Sequence, residues 1–290
     1  MDERPFAPKV SIGMPVFNGE QSIRAALDTL IGQSFPDFEL IVSDNASTDG
    51  TEHVCREYAA RDQRIRYIQQ STNLGAEANF KFVLDEAKGE YFMWAACDDA
   101  RSLDFVELNI KFLSENPEYV ASTCPNRYEG QSRNNQDLVR FALDGELFER
   151  FFQFFENCWN SHAMFYSLVR TKVLRDCETI GKRFFALDWA IILYLASKGK
   201  INRTKDGDIC FGEEGISRGS DAVKIFQKNI IDFVLPLHRF EQYLSNLTTT
   251  FSPRQKFKLI KILLKLNLQL AIFRLKESLH SLWCAVRRAR

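Results

Sequence analysis

Residues 10–51 read VSIGMPVFNGEQSIRAALDTLIGQSFPDFELIVSDNASTDGT, and this stretch decides the fold. Residues 9–17 form a β-branched run that ends just past Pro15. Ile23, Ala26, Leu27, Leu30 and Ile31 then recur at helical spacing. FELIVSD (38–44) is a second strand pattern, and STDGT supplies a turn and a start for a helix through about Ala60. The alternation continues outward with strand RIRYIQQ, helix GAEANFKFVLDEAKG closed by Gly89 as a C-cap, and strand EYFMWAA. Strands that are apolar on both faces and joined by crossover helices predict a doubly wound, mostly parallel α/β sheet.

Beyond it, DFVELNIKFLSENP predicts a helix and EYVASTC a strand. Residues 126–146 are polar and aperiodic, as in a mobile loop. HAMFYSLVR (162–170) reads as a strand, LDWAIILYLASKG (187–199) as a helix, and the pattern from Asp221 onward is helical. The expected organisation is an α/β domain over 1–220, then a helical region over 221–290.

Lys+Arg and Asp+Glu balance at 38 each. Residues 254–290, however, hold ten basic residues against the single acid Glu277, a local balance of 10 − 1 = +9. The seven cysteines are scattered, with no CxxC spacing, which points to reduced thiols in a cytoplasmic setting rather than disulfides or zinc. MDERPFAPKV lacks the apolar core of a signal peptide, and no run reaches the length of a membrane span.

YFMWAACDDARS (91–102) climbs through an apolar run and stops at two adjacent carboxylates. In open α/β sheets ligands sit beyond the carboxyl ends of the strands. PVFNGE, SDNASTDG and CDDA all fall at such ends, so Asp44, Asp98 and Asp99 are expected in one crevice. Neighbouring carboxylates repel unless a cation neutralises them, and a hard divalent ion completed by water and phosphate oxygens meets that need. A solvated surface Asp pair is the plainer alternative.

These segments, together with NLGAEANF, resemble the N-terminal half of a family 2 glycosyltransferase from about residue 9 to 125. The resemblance implies a GT-A fold, with a catalytic domain over 1–220 made of a nucleotide-sugar half at 9–125 and an acceptor half at 126–220. It implies an inverting enzyme that moves a sugar from a nucleotide-diphosphate donor to a saccharide or lipid-linked acceptor in cell-surface polysaccharide synthesis. Mn²⁺ or Mg²⁺ is the implied cofactor, held by Asp98 and Asp99. Pro15, Phe17 and Glu20 would line the nucleotide, with Asp98 also on the donor. Asp44 would accept the imide N–H of uracil or thymine, favouring UDP or dTDP, although an Asx-turn role fits SDNAS as well. Asn73 and Gly75 match the turn beside the ribose, where a plain turn-forming Asn is an equal reading.

Two departures stand out. The usual first acid of the metal motif is Ala96 here, and Cys97 occupies a position where relatives often carry a third Asp. Cys97 is read as a buried thiol rather than a soft ligand. The late stretch that in the family assists the departing diphosphate carries Glu213 and Glu214, with Arg218 nearby. A non-catalytic sugar-nucleotide-binding relative therefore stays open, and a nucleotidyltransferase ranks lower because PVFNGEQS lacks a glycine-rich basic loop.

Asp188, at the start of the 187–199 helix, matches the family's general base, with a helix-capping role as the alternative. His162 is the second candidate. Trp159 and Trp189 are equally suited to stacking on a sugar or to core packing. In the tail, Lys258, Lys261, Lys265, Gln269 and Lys276 share one helical face. Such a helix suits the anionic inner surface of the cell membrane, making the protein peripheral there. Packing on the catalytic domain or in a homodimer is the alternative. No nucleic-acid partner is expected, because no base-reading motif accompanies the charge.

Overall fold

The computed structural model describes residues 7–131, 138–212, 226 and 230–288. Strands β1 (Val10–Val16), β2 (Phe38–Asp44), β3 (Ile65–Gln69) and β4 (Tyr91–Trp94) alternate with helices α1 (Ile23–Ile31), α2 (Thr51–Arg61) and α3 (Ala76–Asp85). There follow β5 (Ala100–Arg101), α4 (Phe105–Glu115), β6 (Tyr119–Thr123) and β7 (Asn126–Tyr128). Next come α5 (Leu147–Asn157), a 3₁₀ turn (Cys158–Asn160), α6 (His162–Phe165), β8 (Leu168–Arg170) and α7 (Thr171–Arg175). The chain continues through α8 (Leu187–Lys198), β9 (Lys200–Arg203) and β10 (Ile209–Phe211) to α9 (Ile230–Val234), α10 (His238–Leu247) and α11 (Pro253–Arg288).

The main sheet has the order β3-β2-β1-β4-β8-β6-β9, and within it only β8 runs antiparallel to its neighbours. Every residue of β1, β2 and β4 is buried, as strands covered on both faces require. The chain leaves β1 toward β2 and β3, then returns to place β4 on the other side of β1. The order therefore switches at β1 and β4, where such sheets bind ligands. The β4 ladder stops at Gly13, so Pro15, with no N–H to give, lies past the last rung on that side. A second sheet, β5-β10-β7, is built from short strands only.

The described chain divides into two compact units. One, within Met1–Lys182 and Ile191–Glu214, carries both sheets. The other, within Arg183–Ala190 and Gly215–Arg290, carries α9, α10, α11 and the first turn of α8. In it the Trp189 ring meets Phe240 edge-on at 6.2 Å, and Trp189 is buried.

The structure differs from the sequence expectations at three places. HAMFYSLVR is not one strand: four residues are helical and only Leu168–Arg170 are extended. Residues 126–146 include β7, and the buried Leu143 bridges antiparallel to Ile201. Gly89 does not cap α3, which ends at Asp85. It lies instead against β1, where its N–H donates to Ser11 Oγ at 2.8 Å, and the Ser11 hydroxyl in turn donates to Glu39 at 2.7 Å. Glu213, Glu214 and Arg218 lie outside the described residues, as does most of the start of the helical region at Asp221.

A Cβ built on Gly89 would stand 2.5 Å from the Ser11 backbone nitrogen and 2.7 Å from the Val10 carbonyl carbon. Neither atom can swing away, because both sit in the central strand. Gly89→Ala is expected to cost about 1–3 kcal/mol, the usual range for forced overpacking, measured by urea denaturation. An unchanged midpoint would mean that β1 and β4 can separate.

Candidate active site

Three loops at the carboxyl ends of the central strands are bound to one another. The loop after β1 meets the loop after β2 through backbone-to-side-chain bonds. Asn18 N–H donates to Ser47 Oγ at 2.9 Å, Gly19 N–H to Thr51 Oγ1 at 2.9 Å, and Thr48 N–H to Asn18 Oδ1 at 2.8 Å. Glu20 accepts Gly50 N–H at 3.0 Å, so its carboxylate is engaged in holding the loop. The same β1 loop touches the carboxylate motif: a Cβ on Gly19 would lie 3.1 Å from Cys97 Sγ. Phe17, by contrast, is 47% exposed and presents an aromatic face at the strand ends.

Asp44 closes β2 and is fully buried. One carboxylate oxygen accepts Ser47 N–H at 2.9 Å and the other accepts the Tyr67 hydroxyl at 2.7 Å. Burial, and then the Asp44 contact, push the Tyr67 phenol far above its ordinary value, so it stays protonated and donating. Each carboxylate oxygen has two acceptor sites, and Asp44 thus retains capacity for a further donor. Asn73 serves the backbone. Its Oδ1 accepts Asn45 Nδ2 at 2.9 Å and Gly75 N–H at 2.8 Å, while Asn45 Oδ1 accepts Leu74 N–H at 2.7 Å. The buried Asn45 is therefore the clasp between two loops, and Gly75, at φ 85°, starts α3 in a conformation few other residues tolerate.

The two adjacent carboxylates are not equivalent. Asp98 is half-buried, whereas Asp99 is 4% exposed and its Oδ1 accepts Gly212 N–H at 3.2 Å. That donor comes from the end of β10, more than a hundred residues along the chain. The small sheet explains the meeting, because β10 pairs antiparallel with β5 immediately after the carboxylates. A Cβ at position 212 would fall 2.3 Å from the Asp98 carbonyl oxygen, so the approach needs glycine.

Behind the pair lies Arg101, a residue that the sequence reading passed over. It is 4% exposed, donates to the Trp94 carbonyl at 3.1 Å, and lies over the rings of Phe105 and Tyr166 at 5.6 and 5.9 Å. Burial lowers its pKa and the Asp99 charge opposes that shift. Its Nε and Nη1 have no hydrogen-bond partner among the described residues, so the Trp94 carbonyl, the aromatic faces and Asp99 together hold the cation. The signal was present as an Arg two positions after an Asp pair, but a two-residue strand gives no periodicity to place it.

Among the described residues no group of three or more His, Cys, Asp or Glu side chains forms a ready-made metal cage. The donor set is two hard carboxylates. It fits a Mg²⁺- or Mn²⁺-type ion that completes its shell with water and phosphate oxygens, and does not fit a soft-metal centre. Burial, and then the Asp98 charge, push the Cys97 thiol up to about 12, which leaves it a neutral thiol.

Asp188 is the second residue of α8 and half-buried; it belongs to the unit that carries the C-terminal helices, whereas Asp44, Asp98 and Asp99 all belong to the larger unit. His162 opens α6 in that larger unit. Its Nδ1 is 3.2 Å from the Tyr128 hydroxyl, and Phe211 lies edge-on to the His162 ring. Tyr128 and Phe211 are paired at the ends of β7 and β10, the same end of the small sheet as Asp99.

Removing the buried counter-charge should be costly. Arg101→Met is expected to lower stability by about 3–5 kcal/mol, the range for breaking a buried pair on one side. The Arg101→Met/Asp99→Asn double variant should regain part of that loss in a denaturation cycle. Strict additivity of the two single effects would show that the two groups do not interact.

Comparison with known proteins agrees with this geometry. The family model for glycosyl transferase family 2 matches residues 11–177. Glycosyltransferase GlyA of Streptococcus pneumoniae is 28% identical over 173 residues, covering 60% of this chain and 23% of that protein. TuaG of Bacillus subtilis, named for teichuronic acid biosynthesis, is 30% identical over 132 residues, or 46% of this chain and 50% of TuaG. The chain thus matches half or less of the length of these two relatives. Among solved structures, S. aureus TarS 1–349 in complex with UDP-GlcNAc superposes with a TM-score of 0.58 at 20% identity, covering 87% of this chain and 75% of that one. The mannosyltransferase PcManGT from Pyrobaculum calidifontis, in complex with GDP-Man and Mn²⁺, gives 0.57 at 17% identity, covering 94% and 74%. With a family match over more than half its length and the same α/β fold as these neighbours, the chain belongs to glycosyl transferase family 2.

Proposed function

We propose that this protein is an inverting glycosyltransferase that moves a sugar from a nucleotide-diphosphate donor, UDP or dTDP by preference, to a saccharide or lipid-linked acceptor of a cell-surface polysaccharide. The observation that carries the proposal is the convergence, in one unit, of the buried acceptor Asp44 with the unequal pair Asp98 and Asp99 at the switch in strand order. The TarS complex with UDP-GlcNAc and the PcManGT complex with GDP-Man and Mn²⁺ support a nucleotide-sugar donor and a divalent ion by analogy. In this reading residues 1–220 are the catalytic domain and 221–290 a helical region that keeps the enzyme at the cytoplasmic face of the cell membrane. Among the described residues no helix is long and apolar enough to cross a membrane.

The roles follow from chemistry. Asp44, an acceptor held by Tyr67 and Ser47, takes the imide N–H of a uracil or thymine ring, while Phe17 offers it an aromatic face. Pro15, Glu20, Asn73 and Gly75 shape the loops around the nucleotide. Asp98 and Asp99 would hold the ion, Asp98 also serving the diphosphate, with Asp99 anchored by Gly212 and backed by Arg101. A bound divalent cation supplies charge neutralisation for the departing diphosphate. Asp188 takes the proton of the acceptor hydroxyl as its oxygen bonds to the anomeric carbon. The bond from that carbon to the diphosphate breaks, and its electron pair leaves with the nucleoside diphosphate. Inversion requires that the acceptor oxygen attack in line with the departing diphosphate.

Calorimetric titration with UDP, dTDP and GDP in the presence of Mn²⁺ tests the donor site. Tight binding of UDP or dTDP that disappears with a chelator is expected, and Asp98→Asn should remove the Mn²⁺-dependent part while leaving the melting temperature in place. Binding that ignores both chelator and variant would sink the metal assignment. Asp188→Asn keeps the side chain's shape but cannot accept a proton. It is expected to lower kcat by ~10²–10⁴-fold with donor affinity nearly unchanged, the usual worth of general-base catalysis. A normal rate would move the role to His162.

A further inference from the structure

Helix α11 has two apolar faces, and the fold uses one of them. Leu259, Leu263, Leu266 and Leu270 are buried. Beside them Asn267 accepts Leu237 N–H at 3.0 Å and donates to Glu241 at 2.6 Å, and Arg274 donates to the Asp232 carbonyl at 2.7 Å. These bonds fix which way the helix faces within its unit. On the other side Phe257, Ile260, Leu264, Leu268, Ile272 and Leu275 are all exposed, Leu264 at 58% and Leu268 at 61%. At about 100° per residue these six fall within an arc of about 120° and extend over roughly 27 Å of helix.

The helix segment that carries this stripe is charged with one sign. Pro253 to Lys276 contains no Asp or Glu. Lys261 sits within the stripe, with its ammonium 4.5 Å from the centre of the Phe257 ring, and Lys258, Lys265 and Lys276 border it, all exposed. Lysines in such places lay their stems along apolar surface and send the charge outward to the level of lipid headgroups. We infer that this stripe is the membrane-contacting face, lying in the interface of an anionic lipid surface with its leucines among the acyl chains and its lysines among the phosphates. A second copy of the chain is disfavoured as the occupant, because pairing like stripes would bring two sets of lysines together without a counter-charge. The inference deepens the membrane placement proposed above and rests on it, not on the transfer chemistry.

The test is co-sedimentation of the full chain with vesicles of phosphatidylcholine and phosphatidylglycerol, and with vesicles of phosphatidylcholine alone. Three proteins are compared: unchanged, Leu264→Glu/Leu268→Glu, and Lys258→Ala/Lys261→Ala/Lys265→Ala. Circular dichroism and UDP–Mn²⁺ binding are measured on each sample. The unchanged chain should bind only the anionic vesicles. The leucine variant should bind them roughly tenfold or more weakly, as expected for losing apolar burial, and the lysine variant should lose the preference for anionic lipid, all with helicity and UDP binding retained. If the unchanged chain binds neither vesicle, the membrane placement itself falls. Equal vesicle binding by the leucine variant would overturn the stripe and leave the placement standing. A dimer in sedimentation velocity that the leucine substitutions dissociate would give the face to a second copy.

Discussion

Two carboxylates cannot stand side by side at the end of a buried strand without positive charge close by, and much of this fold is arranged around that demand. Part of the charge is built in: Arg101, fully interior and seated over Phe105 and Tyr166, shares the field of Asp99 from behind. Asp99 is thereby tied inward, to Arg101 electrostatically and to Gly212 by a hydrogen bond. Asp98 keeps the more open position. A pair that looks redundant as a dipeptide thus holds two different positions, Asp99 bonded inward and Asp98 half-buried.

The neighbouring loops follow the same economy, in which polar side chains are used first to hold backbone. Glu20, Asn45, Asn73 and Thr51 all spend hydrogen bonds on loop segments. What remains for a ligand is an exposed aromatic face at Phe17, spare acceptor capacity at Asp44, and the Asp98 carboxylate. Such a site is pre-shaped but not pre-filled, which agrees with the lack of a three-donor metal cage among the described residues.

The strands and helices of the first hundred residues were legible because burial on both faces and helical spacing leave unmistakable patterns. Ile23, Ala26, Leu27 and Leu30 are buried on α1 as their spacing requires. Gly89 misled because a glycine after a helix commonly caps it, and only tertiary packing reveals that it is needed against β1 instead. HAMFYSLVR misled because so short a largely apolar stretch, under three helical turns, carries no period that separates strand from helix. The Arg101 and Gly212 contributions were out of reach for a different reason. They depend on β5 and β10, strands of two and three residues, meeting across more than a hundred positions. The roles proposed for Asp44 and Asp98 come from the family resemblance together with their place at strand ends, not from any local pattern.

That long-range meeting has a consequence for how the protein is made. The family match ends at residue 177, yet the backbone donor for Asp99 and the middle strand of the small sheet arrive only with residues 209–212. A chain growing from its N-terminus can assemble β1 to β4 before the rest, since all four strands lie within Val10–Trp94. Until β10 has left the ribosome, β5 and β7 have no strand between them, and the Asp99–Arg101 region stays open to water. The Asp99–Arg101 region is therefore among the last parts of its unit to set during synthesis.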